Sequence, residues 1–427
     1  MTLQEWIMDR KKHYTRREFI QNSLVFLSGV TFAPAFLARM VSIGMAPASL
    51  TEQRILVVVQ LGGGNDGLNT VVPYRMAPYY RNRHRLAIPS KRVLPLDDTV
   101  GLNPALEDLK ALYDDGKVAI VQGVGYPNPS RSHFRSMDIW HTARPASKNT
   151  DSGWLGRFLD RTRPNGTPSV QGIQFGFSRN LALEGQTHHV TTILDTRLMG
   201  WQPIPTEQTE REAERQTLLR ALKYPDRNDA TEYVTHITMD LLASSATVQQ
   251  AAQRGRTRAN YPPTSFGRQL QSTAALILGG MPSMIYYTHL DGFDTHVNQQ
   301  GRHERLLEEL GRGLRAFFED IGRSRYRARI LVLLFSEFGR RLEENASGGT
   351  DHGTVNPVIL LGDTIQPGLH GKHPSLERDN LDEIGDPRYR IDFRSVYATI
   401  LQHWFKTDSV RILGHAYPIL PLFPEKG

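Results

Sequence analysis

The sequence predicts an α/β protein whose largely parallel sheet is covered by helices on both sides, with one helical insertion. Continuous β-branched runs carry that prediction, together with amphipathic helical patterns between them and polar clusters just after them. The first run is Arg54–Leu61, and others follow at Val118–Gln122, Ser283–Tyr287, Ile330–Phe335 and Pro357–Leu361. Runs without polar alternation suit strands buried on both faces. Leu306, Leu307, Leu310, Leu314, Phe317 and Ile321 form one apolar helical stripe ahead of the Ile330 run, and Leu102–Tyr113 does the same ahead of Val118. Residues 203–264 differ: a charged stretch from Thr206 reads as a solvated helix and Arg254–Pro263 as a loop, so the region is expected to be a helical insertion or cap. Pro418–Pro424 is expected to pack as a tail over the surface.

The first 48 residues read as a removable twin-arginine export signal. Arg10, Lys11 and Lys12 precede Thr15-Arg16-Arg17-Glu18-Phe19-Ile20, a weakly apolar stretch from Leu24 to Ile43, and the small-x-small site Ala46-Pro47-Ala48. Ser28, Gly29, Thr31, Pro34 and Arg39 interrupt that stretch, which argues against a stable span. The expected address is periplasmic or extracellular, reached through the twin-arginine translocase, which carries folded proteins. Residues 49–427 then form the mature domain, without a second segment of membrane length. The 51 Lys+Arg against 44 Asp+Glu are partly accounted for by the signal, so charge gives no case for nucleic acid. With no cysteine in the chain, disulfides, thiolate nucleophiles and sulfur-ligated metals are excluded, and any metal must sit on oxygen and imidazole.

Open parallel sheets gather their chemistry at the carboxyl ends of the strands. After the first run comes Gly62-Gly63-Gly64-Asn65-Asp66-Gly67, formally G-x-G-x-x-G. A dinucleotide would need a helix to start there, whereas Leu68–Tyr74 reads as extended and is broken by Pro73. Asp66 is left as either a turn residue or a functional carboxylate. After the second run, Ser130-Arg131-Ser132-His133 precedes a helical stretch, Arg135–Ala143, so each serine reads as a helix cap or as a nucleophile or anion ligand. His289, Asp291, Asp294 and His296 follow the Ser283 run on an expected turn and suit zinc, manganese or magnesium. Glu337 and Arg340 follow the Ile330 run, and Asp351-His352 precedes the Pro357 run. Arg340 can hold an anionic substrate group or simply pair with Glu337.

In combination, Gly63-Gly64-Asn65-Asp66-Gly67, Ser130–Phe134, Gly292–His296, Ser336–Arg340 and Thr350–Gly353 resemble the exported bacterial proteins of the DUF1501 family. That family is similar in turn to the alkaline phosphatase and sulfatase superfamily. The resemblance implies a three-layer α/β/α fold, two metal ions, and a metal-activated nucleophile acting on a small anionic phosphate or sulfate ester. It puts Ser132, or otherwise Ser130, at the nucleophile position. It makes Asp66, Asp291, Asp294, His296, Glu337, Asp351 and His352 candidate metal ligands, and Asn65, Arg131, His133 and Arg340 candidate substrate contacts. Glu337-Phe338 departs from the superfamily's Asp-His, so one imidazole is missing there, and the absence of cysteine excludes a cysteine-derived formylglycine. The alternative is an exported binding or assembly protein with a degenerate metal or anion site.

Overall fold

Nine strands of one sheet organise the chain. The computed structural model describes residues 53–145, 151–162, 170–176, 180–186, 191–193 and 247–424. In chain order the strands are β1 (Ile55–Gly62), β2 (Val118–Gly125), β3 (Gly172–Phe175), β4 (Thr191–Ile193), β5 (Ile285–Asp291), β6 (Ile330–Ser336), β7 (Asn356–Leu361), β8 (Gly368–His370) and β9 (Ile391–Asp392). Their spatial order is β8-β2-β7-β6-β1-β5-β3-β4, with β9 paired to β2. Only β7 runs antiparallel to its neighbours, β2 and β6, so the sheet is mixed but mostly parallel.

The β-branched composition of β1 explains its central place. Val57, Val59 and Leu61 enter one apolar core and Leu56 and Val58 the other, so the strand is covered on both faces. Each such side chain contributes roughly 1.5–3 kcal/mol on full burial. The first core is closed by α1 (Glu107–Asp114), α4 (Ser265–Leu278) and α5 (Gln299–Gly322). The second is closed by α2 (His133–Thr142), α3 (Trp154–Thr162) and α6 (Phe393–Thr399). The result is the expected helix, sheet, helix layering.

Several local expectations shift. His289 and Asp291 lie inside β5 rather than on a turn, and the turn begins at Gly292. Leu102 is in a two-residue strand, so α1 starts later than the apolar pattern suggested. Gly67–Thr70 forms one turn of helix where extended chain was expected. Its N-cap is Asp66, whose carboxylate accepts from the Asn69 amide, and all four of its residues are buried, which leaves a phosphate no access. The segment from Pro418 to Pro424 lies without helix or strand and buries its own Leu422 in the second core.

The expected signal, 1–48, lies outside the described residues, as does 203–246 of the expected insertion. Its remainder is helical from 247 to 254 and irregular up to α4. Among the described residues, no helix is long and apolar enough to cross a membrane.

Candidate metal centre

Parallel neighbours β1, β5 and β6 end at one edge of the sheet, and the turns beyond them supply Gly63–Asp66, Gly292–His296 and Glu337. Because β7 runs the other way, the chain just before it reaches that edge too, in a ribbon of Arg340–Glu344 against Thr350–His352. The loop after β2 brings Ser130–His133 to the same place, where α2 starts with Ser132 as its N-cap.

Three imidazoles there are oriented alike. His133 Nδ1 lies 2.8 Å from Glu337 Oε1, His296 Nδ1 lies 3.0 Å from Asp351 Oδ1, and His352 Nδ1 lies 2.7 Å from the Arg131 carbonyl oxygen. Ionised carboxylates and carbonyls only accept, so each Nδ1 must carry the hydrogen and donate. In the neutral ring the Nε2 lone pair is then bare. All three Nε2 atoms face Asp294: His296 at 3.1 Å and His352 at 3.2 Å from Oδ1, and His133 at 3.5 Å from Oδ2. His296 and His352 Nε2 are 2.9 Å apart. The buried Nε2 of His133 has no hydrogen-bond partner among the described residues.

These spacings suit a cation. Ligand atoms at about 2.0–2.1 Å from a tetrahedral ion lie about 3.3–3.4 Å from one another. Without a cation, two bare Nε2 atoms facing each other repel unless one ring takes a proton. Among the described residues, His133, Asp294 and His352 are the one group of three potential ligands whose donor atoms all lie within 4.8 Å, and His296 adjoins two of them.

The surroundings hold this geometry. Arg340, wholly buried, donates to the Gly63, Gly64, Phe293 and Thr350 carbonyls and, at 2.7 Å, to Asp294 Oδ1. Burial alone would raise the Asp294 pKa, but the hydrogen bond and charge of Arg340 outweigh it and hold the carboxyl at about 2. The Glu337 bond raises His133 above the ordinary imidazole value, whereas burial lowers His352. Gly63 and Gly64 have φ of +110° and +72°, and a Cβ on them would overlap the Asp294 amide nitrogen and the Phe338 ring. Phe338, at the departure from Asp-His, packs its buried ring 4.9 Å from His133 and 4.7 Å from His352.

Several expected site residues do other work. Asp66 is wholly buried and held by Arg83 at 2.6 Å and by Gln299, so its oxygens face no opening toward a metal. These partners overcome the burial that would raise its pKa and lower it instead. Glu337, expected as a ligand, accepts from Gly63 N, His133 and Ser336, and so stands behind a ligand position. Asp351 likewise stands behind His296. Asp291 is exposed and meets His289 at 3.6 Å, apart from the group. Arg340 spends its donors internally, and Arg131 gives Nε and Nη2 to Asp386 and Asp382. Asn65 is buried between Thr70, His303, Asn356 and Ser336. His133, read as a substrate contact, lies in the group of potential metal ligands with Asp294 and His352.

The serines differ from each other. Ser130 Oγ accepts from the Ser132 amide, whereas exposed Ser132 makes no capping bond with its hydroxyl and sits between Arg131, whose carbonyl meets His352, and His133. The Arg83 brace had no signal in the sequence. Gln299 and His303 did, since they extend the Leu307-Leu310-Leu314 stripe by steps of four and so had to be buried polar groups.

A family model described as "Protein of unknown function (DUF1501)" matches residues 119–414. The C-terminal periplasmic domain of EcEptC from Escherichia coli, in complex with Zn, is similar at 9% identity and TM-score 0.30, covering 74% of each chain. A protein in the alkaline phosphatase superfamily from Vibrio parahaemolyticus is 10% identical at TM-score 0.31, covering 79% of this chain and 70% of that one. The PsFucS1 sulfatase from Pseudoalteromonas sp. is 11% identical at TM-score 0.35, covering 86% and 69% respectively. No curated protein matches the sequence.

Proposed function

The chain belongs to the DUF1501 family, and we propose that it is an exported, metal-dependent hydrolase of phosphate or sulfate esters. One observation supports this above the others: three Nε2 atoms with tied Nδ1 partners face one carboxylate, beside an exposed serine at a helix N-terminus. His133, Asp294, His296 and His352 would hold a divalent ion, with zinc favoured by the imidazole-rich set and manganese or magnesium next. Such an ion supplies Lewis acidity toward the ester oxygens and lowers the pKa of a neighbouring hydroxyl.

The protein's own residues divide the remaining work. Ser132 is the nucleophile of this reading, and the amides opening α2 favour the anionic group it attacks. Glu337, Asp351 and the Arg131 carbonyl fix the tautomers of the three rings. Export by the twin-arginine route belongs to the same proposal, since such a site can be filled before translocation.

A second reading has an observation of its own. Arg340 is spent on internal partners and Arg131 is paired with the Asp382 and Asp386 carboxylates, so both arginines expected to grip an anion already have their charge answered within the protein, as suits an exported metal-binding or assembly protein. The discriminating experiment loads the purified chain with zinc, manganese or magnesium and follows hydrolysis of p-nitrophenyl phosphate and p-nitrophenyl sulfate. Metal-dependent turnover lost in Ser132→Ala supports the enzyme. Metal uptake without turnover of either ester refutes it and leaves the binding protein.

A further inference from the structure

We infer that this site takes one divalent ion per chain, and that the guanidinium of Arg340 stands as the fixed positive charge beside it where two-ion chemistry would need a second cation. The inference rests on the metal reading proposed above and narrows it. It follows from asking which ligand atoms at the carboxyl edge are still available once the internal bonds are made.

Asp66 Oδ2 takes Arg83 and Gln299 while Oδ1 takes the Asn69 amide, all with the side chain wholly buried. Glu337 Oε1 takes the Gly63 amide and His133 Nδ1, and Oε2 takes the Ser336 hydroxyl. Asp351 Oδ1 takes His296 Nδ1 and the Asn345 amide. Among the described residues Asp351 Oδ2 alone is left without a bond, on a half-exposed side chain, while the other oxygens of these carboxylates accept from neighbouring donors, and two of the three carboxylates orient the first site's imidazoles. His289 and Asp291 remain, but two side chains 3.6 Å apart on the strand make no group of three.

The charge balance points the same way. Arg340 Nη2 lies 2.7 Å from Asp294 Oδ1, while Oδ2 turns toward His133. Oδ1 is also the oxygen that His296 and His352 Nε2 face, so both oxygens of Asp294 serve Arg340 and the three rings of this one site, and neither is left to bridge to a second ion. The four carbonyls around Arg340 hold it in place, so it cannot swing away to admit one.

Metal-stripped full-length protein, titrated with zinc, desalted and measured by native mass spectrometry with elemental analysis, tests this directly. One zinc per chain is expected, lost in His352→Ala and retained in Asp291→Asn. Two retained ions per chain would overturn the inference while leaving the metal reading standing, most directly if Asp291→Asn removed one of them. No retained zinc would overturn both. Circular dichroism of His352→Ala separates loss of the site from loss of the fold.

Discussion

Replacing Glu337 by glutamine probes the layer of residues behind the site without rebuilding it. The amide oxygen can still accept from Gly63 N and His133 Nδ1, and the new NH2 faces the Ser336 hydroxyl, which can accept. Shape is kept and one charge is lost. The His133 bond then changes from a charge-assisted contact at 2.8 Å to a neutral one. Charged hydrogen bonds contribute about 1.5–3 kcal/mol and neutral ones about 0.5–1.5, so the ring loses roughly 1–1.5 kcal/mol of support for its bare Nε2. That corresponds to about a tenfold weaker zinc affinity, near the lower end of the 10–100-fold range for changes behind metal ligands. Competition against a chromophoric zinc chelator gives the dissociation constant, and a melting curve verifies the fold. A folded Glu337→Gln protein with zinc affinity within about twofold of the parent would refute the claim that Glu337 acts through His133.

Other expected outcomes follow from the same contacts. Arg83→Met should destabilise the protein by about 3–5 kcal/mol, because it leaves the buried Asp66 carboxylate unpaired; urea unfolding measures this, and recovery on adding zinc would show Asp66 to be a ligand after all. Asp351→Asn should weaken zinc binding less than Glu337→Gln, since Asp351 is 54% exposed against 2% for Glu337 and its charge is screened by solvent; a larger loss would reverse their assigned importance. Burial lowers His141 to about 3 and His303 to about 4. Their unfolded-state value is about 6.5, so below that pH the unfolded chain takes up protons that the native rings refuse, and stability falls as pH falls. From pH 6.5 to 5 each ring removes about 1.6 kcal/mol, which denaturant midpoints across that range detect; a flat profile would contradict their burial as neutral groups.

The sheet was largely legible because its inner strands are buried on both faces, which forces uninterrupted apolar runs such as Ile55–Val59 and Ile330–Phe335. The short strands Gly172–Phe175, Gly368–His370 and Ile391–Asp392 carry too few residues for such a run. Asp294, His296 and His352 are candidates by position, being carboxylate and imidazoles next to buried runs, and the structure brings them together. What sequence could not give was the division between ligands and the groups behind them. Asp66 and Glu337 have the composition of ligands, and it is Arg83 and His133, distant in sequence, that their oxygens meet. The antiparallel sense of β7 was likewise invisible in its composition, yet it is what returns His352 to the edge where His296 waits.

Zinc K-edge X-ray absorption on the zinc-loaded chain tests the central claim most directly, because it counts imidazoles around the ion. Three imidazole nitrogens and an oxygen at about 2.0–2.1 Å are expected, with one imidazole fewer in His296→Ala. A spectrum with one imidazole or none, or one unchanged by that substitution, would contradict the assignment of His133, His296 and His352 to a single centre on Asp294.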